Sequence, residues 1–350
     1  MWRTRKLVCS LFISIPVIAL ASCASGGSSS DGGSVASGPP PEVSSIVVDA
    51  VPTADEAGLY IANQRGYFKQ QGLSVTIEPI LGGELGMADL QGGKAQIIVG
   101  NYVSFILAQI HHTYAGKPID MRIIADGSHM QQGNQAIYVM PNSRFKTVAD
   151  LTKFHARVGI NTANNVGQVL FGSLFKENGL SLSGIKQVYE GFGNMIGDLQ
   201  AGKLDAAWLP EPFATIAQES IGAVTLADFD QGSLQDFPIG AYIGTRQWVQ
   251  SHPNTVAAFL RAMEEGQQVA DTNRAAVESA LMDKANLTAN FAAKPLQASM
   301  MTLDTYPLAM DIPAMQRVTD SMFEFGLEPG RARAYPIVSM VQPEPGEIGG

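Results

Sequence analysis

The chain has 350 residues, 45% of them hydrophobic and 16% charged, and its 32 acidic against 23 basic residues give a formal charge of -9. That balance argues against a nucleic-acid partner, which needs clustered Lys and Arg to meet phosphates. Two cysteines, Cys9 and Cys23, exclude a disulfide-framed fold.

The chain opens with Arg3, Arg5 and Lys6, followed by the almost wholly apolar run Leu7 to Leu20. Charge, then a short apolar core, then small residues is the pattern of a targeting segment, and the run is too short to span a bilayer comfortably. Leu20-Ala21-Ser22-Cys23 resembles the lipobox of bacterial lipoproteins. The resemblance implies a signal peptide over 1–22, cleavage before Cys23, and lipidation of its thiol. An ordinary secretory signal with an incidental cysteine is the alternative. From Ala24 to Val43, 14 of 20 residues are Ser, Gly or Pro, so 23–43 reads as a lipidated cysteine and a flexible leash. Removing the segment takes away three basic residues and leaves a charge of -12. The 307 residues from Ser44 to Gly350 contain no run long enough to span a bilayer and exceed what one core usually organises, which predicts two lobes.

Periodicity predicts a strand at 45–51, a helix at 56–70, strand 73–80, helix 84–92, strand 95–100, helix 103–112 and strand 120–126. A second series follows: strand 157–161, helix 166–178, strand 185–190, helix 194–201, strand 204–208, helix 211–219 and strand 222–228. The two series are copies. Thr53 to Gly58 matches Thr162 to Gly167, Phe68 to Leu73 matches Phe175 to Leu180, and Asp89 to Lys94 matches Asp198 to Lys203, at offsets of 109, 107 and 109. Each copy is a βαβαβαβ unit, so the expected fold is α/β: two lobes, each a mainly parallel sheet flanked by helices. Gln135 to Met140 and Ile239 to Thr245 are extended segments expected to cross between the lobes and form a hinge. On this plan 44–130 and 240–335, including the C-terminal helices, make lobe 1, 135–236 make lobe 2, and 336–350 form a tail.

Ala57-Gly58-Leu59-Tyr60-Ile61-Ala62, Gly66-Tyr67-Phe68 and Gly72-Leu73-Ser74-Val75 are similar to the opening of the solute-binding proteins of ABC importers. The group they resemble comprises the sulfonate, taurine and nitrate binders and the thiamine-pyrimidine binders of the NMT1/THI5 type. Gly93 to Ile97, Gly202 to Ala207 and Trp208-Leu209-Pro210-Glu211-Pro212-Phe213 resemble its later motifs. The resemblance implies a type II periplasmic-binding-protein-like clamp that closes on a small solute and presents it to permease subunits. It implies neither cofactor nor metal, and a monomer anchored to the outer face of a bacterial membrane.

In open parallel α/β sheets, ligands lie beyond the carboxyl ends of the strands. Candidate contacts from lobe 1 are Thr53, Asp55, Glu56, Tyr60, Asn101, Tyr102, Asp126 and Ser128. From lobe 2 they are Thr162, Asn164, Asn165, Phe192, Asn194, Trp208 and Glu211. Thr53, Thr162 and Asn164 are equally suited to capping helices, the aromatics to filling core, and Glu211 to opposing a helix dipole. His111-His112 lacks partners at metal-ligand spacing. The candidate loops carry carboxylates and no Lys or Arg, which favours a heteroaromatic amine or cation over a sulfonate or nitrate.

A sensory ectodomain would need the same hinge. A THI5-like pyrimidine synthase would need a cysteine-rich motif, and no cysteine follows Cys23. Cys23→Ser is expected to release the protein from the membrane fraction with solute affinity unchanged, as read by fractionation and titration; lost affinity would contradict a purely anchoring role.

Overall fold

The computed structural model describes residues 38–284, 302–307, 309–328 and 330–341. The expected signal peptide, Cys23, most of the leash and residues 342–350 lie outside the described residues. No described helix is long and apolar enough to cross a membrane.

Two five-stranded sheets organise the fold. The first copy supplies β1 (Ser45–Ala50), β2 (Ser74–Pro79), β3 (Ile97–Asn101) and β6 (Met121–His129), with a small hairpin, β4 (Thr113–Tyr114) and β5 (Lys117–Pro118), between the last two. Its helices are α1 (Ala57–Gln64), α2 (Tyr67–Gln70), α3 (Gly83–Gly92) and α4 (Tyr102–His111). After β7 (Gln135–Val139) and the short α5 (Val148–Lys153), the second copy runs β8 (Arg157–Ile160), α6 (Val166–Glu177), β9 (Lys186–Tyr189), α7 (Phe192–Gln200), β10 (Ala206–Pro210), α8 (Phe213–Ile221) and β11 (Val224–Asp228). The chain then makes β12 (Pro238–Thr245), α9 (Arg246–Ser251), α10 (Pro253–Thr272), α11 (Arg274–Lys284) and a last helix, Ile312–Glu324.

The sheet orders are β2-β1-β3-β12-β6 and β9-β8-β10-β7-β11, the same order copy for copy. In each sheet one strand, β12 or β7, runs antiparallel to both neighbours and comes from outside the repeat. The segments expected as crossings are therefore these strands themselves, buried in the sheets. The chain passes between lobes just before them, at 130–134 and 229–237.

The repeated Asp-Leu-Gln-x-Gly-Lys blocks do identical work. Asp89 accepts a hydrogen bond from Lys94 Nζ at 2.7 Å, and Asp198 from Lys203 at 2.8 Å. The carbonyl of each Asp also accepts the backbone N–H of its Lys. Gly93 and Gly202 take left-handed φ values of 72° and 68°, which end α3 and α7 at little steric cost. The helix expected over 56–70 is divided: a 3-10 turn, Ala54–Glu56, precedes α1, and Gly66 at φ 75° breaks the run before α2.

The core of lobe 1 lies between its sheet and α1, α10 and α11, where Val48, Leu59, Ile61, Phe259 and Leu281 are fully enclosed. Two tail and lobe expectations are corrected. The helix Ile312–Glu324 packs on α4 of lobe 1 and on α6 of lobe 2, because its buried face, Met315, Val318 and Met322, is apolar enough to serve both. Residues 336–341 are not a loose tail: Ile337 and Met340 are buried, and Ile123 N–H donates to the Met340 carbonyl at 2.8 Å. Arg317 on that helix donates to the carbonyls of Ser233, Gln235 and Asp236, along one of the two links between lobes.

Helices α1 and α10 approach closely because both carry glycine at their crossing. A Cβ at Gly266 would stand 2.3 Å from the Gly58 carbonyl oxygen, a backbone atom that cannot swing aside. Gly266→Ala is therefore expected to cost about 1–3 kcal/mol, lowering the melting temperature seen by circular dichroism. An unchanged transition would mean that the two helices are free to separate.

Candidate functional site

The 3-10 turn after β1 and the N-terminus of α6 after β8 face one another across the lobe boundary. With the lobes drawn together as here, a cavity of about 30 Å³ lies between them, room for a water or two; a larger guest needs the lobes to stand further apart. Its walls include Thr53, Asp55 and Glu56 from the turn, Asn101 from β3, Gln135 from β7, Asn161 after β8, and Phe192, Trp208 and Pro210 from lobe 2.

The lobes are drawn together by specific bonds. Ala54 N–H donates to the Glu211 carbonyl at 2.9 Å, Ser104 Oγ to the Asn164 carbonyl at 3.1 Å, and Asn161 Nδ2 to the Leu81 carbonyl at 3.3 Å. Asn101 Oδ1 accepts Ser104 N–H, capping α4 in lobe 1, and also accepts Val166 N–H at 3.2 Å, the first residue of α6 in lobe 2. An unpaired N–H at a helix start needs an outside acceptor. Closure supplies one, so a cap in one lobe doubles as a latch to the other.

Gln135 links the aromatic wall to the acids. The indole N–H of Trp208 can only donate, and it lies 2.8 Å from Gln135 Oε1. The amide NH₂ must then face away, and it donates to Asp55 at 3.2 Å. Phe192 meets the Trp208 ring edge-on at 5.4 Å. Gly167 permits the packing on the other side, since a Cβ there would lie 3.0 Å from the Trp208 ring.

Four carboxyl groups gather here with few cations. Thr53 Oγ1 lies 2.8 Å from Asp55 Oδ2 and 2.6 Å from Glu56 Oε2. Asp304, from the segment before the last helix, stands against Asp55 and accepts from Asn134 Nδ2. Burial raises the Asp55, Glu56 and Asp304 carboxyls above the ordinary carboxylate range, and the charge of Asp55 pushes its two neighbours further. Glu211 is buried behind them and accepts Thr215 N–H at 3.0 Å and Thr215 Oγ1 at 2.9 Å. Burial pushes it up to about 7.

Thr53, Asp55, Glu56, Asn101, Phe192 and Trp208 of the expected residues line the cavity. The others do not. Tyr60 is in the core with its hydroxyl toward the Val51 carbonyl. Tyr102 donates to Asp126, which also meets His129, in a buried group within lobe 1. Ser128 is fully buried beside Gly240, and its Oγ has no hydrogen-bond partner among the described residues. Asn165 caps α6 through Gly167 N–H and braces Thr162 and Asn161. Asn164 sits at φ 53° in an outer groove with Glu84, and Asn194 is exposed. Glu211 acts as a cap behind the wall. Gln135, Asn161 and Asp304 were not expected. A polar residue heading the apolar strand 135–139 was a signal for the first; nothing local marks Asp304. No cluster of His, Cys, Asp and Glu among the described residues could hold a metal ion.

Two lobes with exchanged strands and a polar cleft between them define a periplasmic-binding-protein-like fold. The chain belongs to the NMT1-like family, whose profile matches residues 39–282. Among solved structures, it is similar to the alkanesulfonate-binding protein SsuA of Xanthomonas axonopodis pv. citri, bound to MOPS, at 18% identity and a TM-score of 0.67, covering 86% of this chain and 99% of that one. The nitrate-binding protein NrtA of Synechocystis PCC 6803 aligns at 16% identity and a TM-score of 0.69, covering 84% of each chain. A Candida albicans protein described as having the generic periplasmic binding protein fold aligns at 14% identity and 0.61, covering 86% of this chain and 96% of that one. At these identities the likeness is one of fold. No curated protein sequence matches the chain significantly.

The raised Glu211 carboxyl sets a pH dependence. With a folded-state value of about 7 against an ordinary 4.5, the folded chain holds more proton than the unfolded one between those limits. The contribution of Glu211 to stability therefore falls as pH rises through that window. Glu211→Gln is expected to gain up to about 3 kcal/mol on the parent between pH 5 and 8, measured as the difference in urea unfolding. A difference that stays flat or reverses would contradict burial as the cause.

Proposed function

We propose that this protein is the extracytoplasmic solute-binding component of an ABC importer, held at the membrane by lipid on Cys23 and delivering a small organic nutrient to permease subunits. The observation that carries the reading is the set of bonds between lobes around a cleft lined from both copies, with the chain passing between lobes at links before β7 and β12. Such a topology lets the lobes part about 130–134 and 229–237 and close again on a solute. The solved relatives quoted above as sulfonate- and nitrate-binding proteins support a carrier over a catalyst.

Within that class, the lining favours a nitrogenous solute, such as a thiamine-type pyrimidine, over a sulfonate, taurine or nitrate. Asp55 and Glu56 can accept hydrogen bonds, no Lys or Arg lines the cavity among the described residues, and Trp208 and Phe192 supply its aromatic wall. Two measurements test this. A thermal-shift screen of the soluble portion against sulfonates, taurine, nitrate, aminopyrimidines and organic amines should give its hit among the nitrogen compounds, since a ligand selective for the folded state raises its stability. Trp208→Ala should weaken that hit by roughly 1–3 kcal/mol with the fold retained. Small-angle scattering should show compaction on saturation; a saturated protein of unchanged radius would rule out the clamp.

A further inference from the structure

Among the described residues, the hydrogen-bond geometry of the acid wall is completed only with protons on the acids. Thr53 has one hydroxyl proton, yet its oxygen lies within bonding distance of both Asp55 Oδ2, at 2.8 Å, and Glu56 Oε2, at 2.6 Å. The hydroxyl can donate to one carboxyl; the other contact is a hydrogen bond only if that carboxyl donates back. Asp304 repeats the shortage. Its Oδ1 takes the Asn134 amide, but its wholly buried Oδ2 is reached by no donor among the described residues while the side chain faces Asp55. Two carboxylates in that relation share a proton or repel.

Among the described residues, the groups facing this wall do not relieve it. From α1 comes Tyr60, from β12 Tyr242, from the C-terminal segment Tyr306, and from the end of β10 Glu211. The phenols are neutral donors, and Tyr306 spends its hydroxyl on the Ala54 carbonyl at 2.9 Å. Among the described residues, Arg274 acts on Glu211 and also pairs with Glu278. An enclosed site of this kind stays neutral by holding protons, or by holding a positively charged guest.

We infer that the cleft exchanges protons for an organic cation: a solute carrying a positive charge settles against Asp55 and Glu56, and the carboxyl protons it displaces leave to solvent. The inference rests on the solute-binding reading and narrows its cargo to cations. Each exchange breaks a carboxyl O–H bond, passes the proton to water or buffer, and leaves a carboxylate whose charge the bound cation balances, so the charge inside the closed cleft is unchanged. Asp304, outside both repeats, serves as the proton-sharing partner of Asp55 and acts through it. The direction of the raised carboxyl pKa values agrees with this.

The test uses choline, agmatine and protonated 4-amino-5-hydroxymethyl-2-methylpyrimidine as probes, beside taurine, methanesulfonate and nitrate. The expected result is binding by a cation whose calorimetric heat, at fixed pH, changes between phosphate and Tris buffers in proportion to about one proton released. Its affinity should rise about tenfold per pH unit below the pKa of the released proton. Asp304→Asn should flatten the pH profile and reduce the proton release. If that variant does not fold, Glu56→Gln is the substitute. The unliganded parent should also show the infrared carbonyl band of a protonated carboxyl at neutral pH, diminished in either variant. Cation binding with buffer-independent heat and no pH slope would overturn the exchange, as would hits confined to anions, and the solute-binding reading would stand in both cases. No response from any compound, with no carboxyl band, would bring down both.

Discussion

The strand exchange between lobes is the constraint on which everything else depends. Neither copy of the repeat completes its own sheet: β12 lies between β3 and β6, and β7 between β10 and β11. Each of these strands is buried and hydrogen-bonded on both edges, so the lobes are joined by two links rather than one. The same exchange brings the head of β7, where Gln135 sits, to the floor of the cleft.

Closure and chemistry are coupled through single residues. Asn101 caps its own helix and reaches the first N–H of α6 in the other lobe. Gln135 holds Trp208 and Asp55 at once, with its amide orientation set by an indole that can only donate. Opening the lobes would leave both a helix terminus and a carboxyl without partners, which water or a solute would have to replace. The last helix adds a second tie, since it packs on α4 and α6 and its Arg317 engages carbonyls along one link.

The acid wall is costly to build in an enclosed site, and its persistence needs a reason beyond stability. Replacing buried carboxyls with apolar groups is often neutral or stabilising. Here the Asp55, Glu56 and Asp304 side chains meet a hydroxyl, two amides and one another, an arrangement that accepts hydrogen bonds from a guest better than it supports an unoccupied core.

Much of the architecture was legible in the sequence because it is periodic and duplicated. Alternation of strands and helices, the paired Asp-Leu-Gln-x-Gly-Lys blocks and the glycines that end α3 and α7 depend on local geometry, and local geometry is written in neighbouring residues. The placement of Thr53, Asp55 and Glu56 at the carboxyl end of β1 follows from the same logic. Tertiary structure alone decided which polar residues share the cleft. Tyr60 and Tyr102 point into core from the buried faces of α1 and α4, Glu211 turns its side chain to cap Thr215 N–H, and Gln135 arrives from a strand exchanged between lobes. Asp304 meets Asp55 across 249 positions of sequence. A contact of that separation is set by how the C-terminal segment packs along β6, where His129 and Thr305 exchange backbone hydrogen bonds, and no local pattern encodes it.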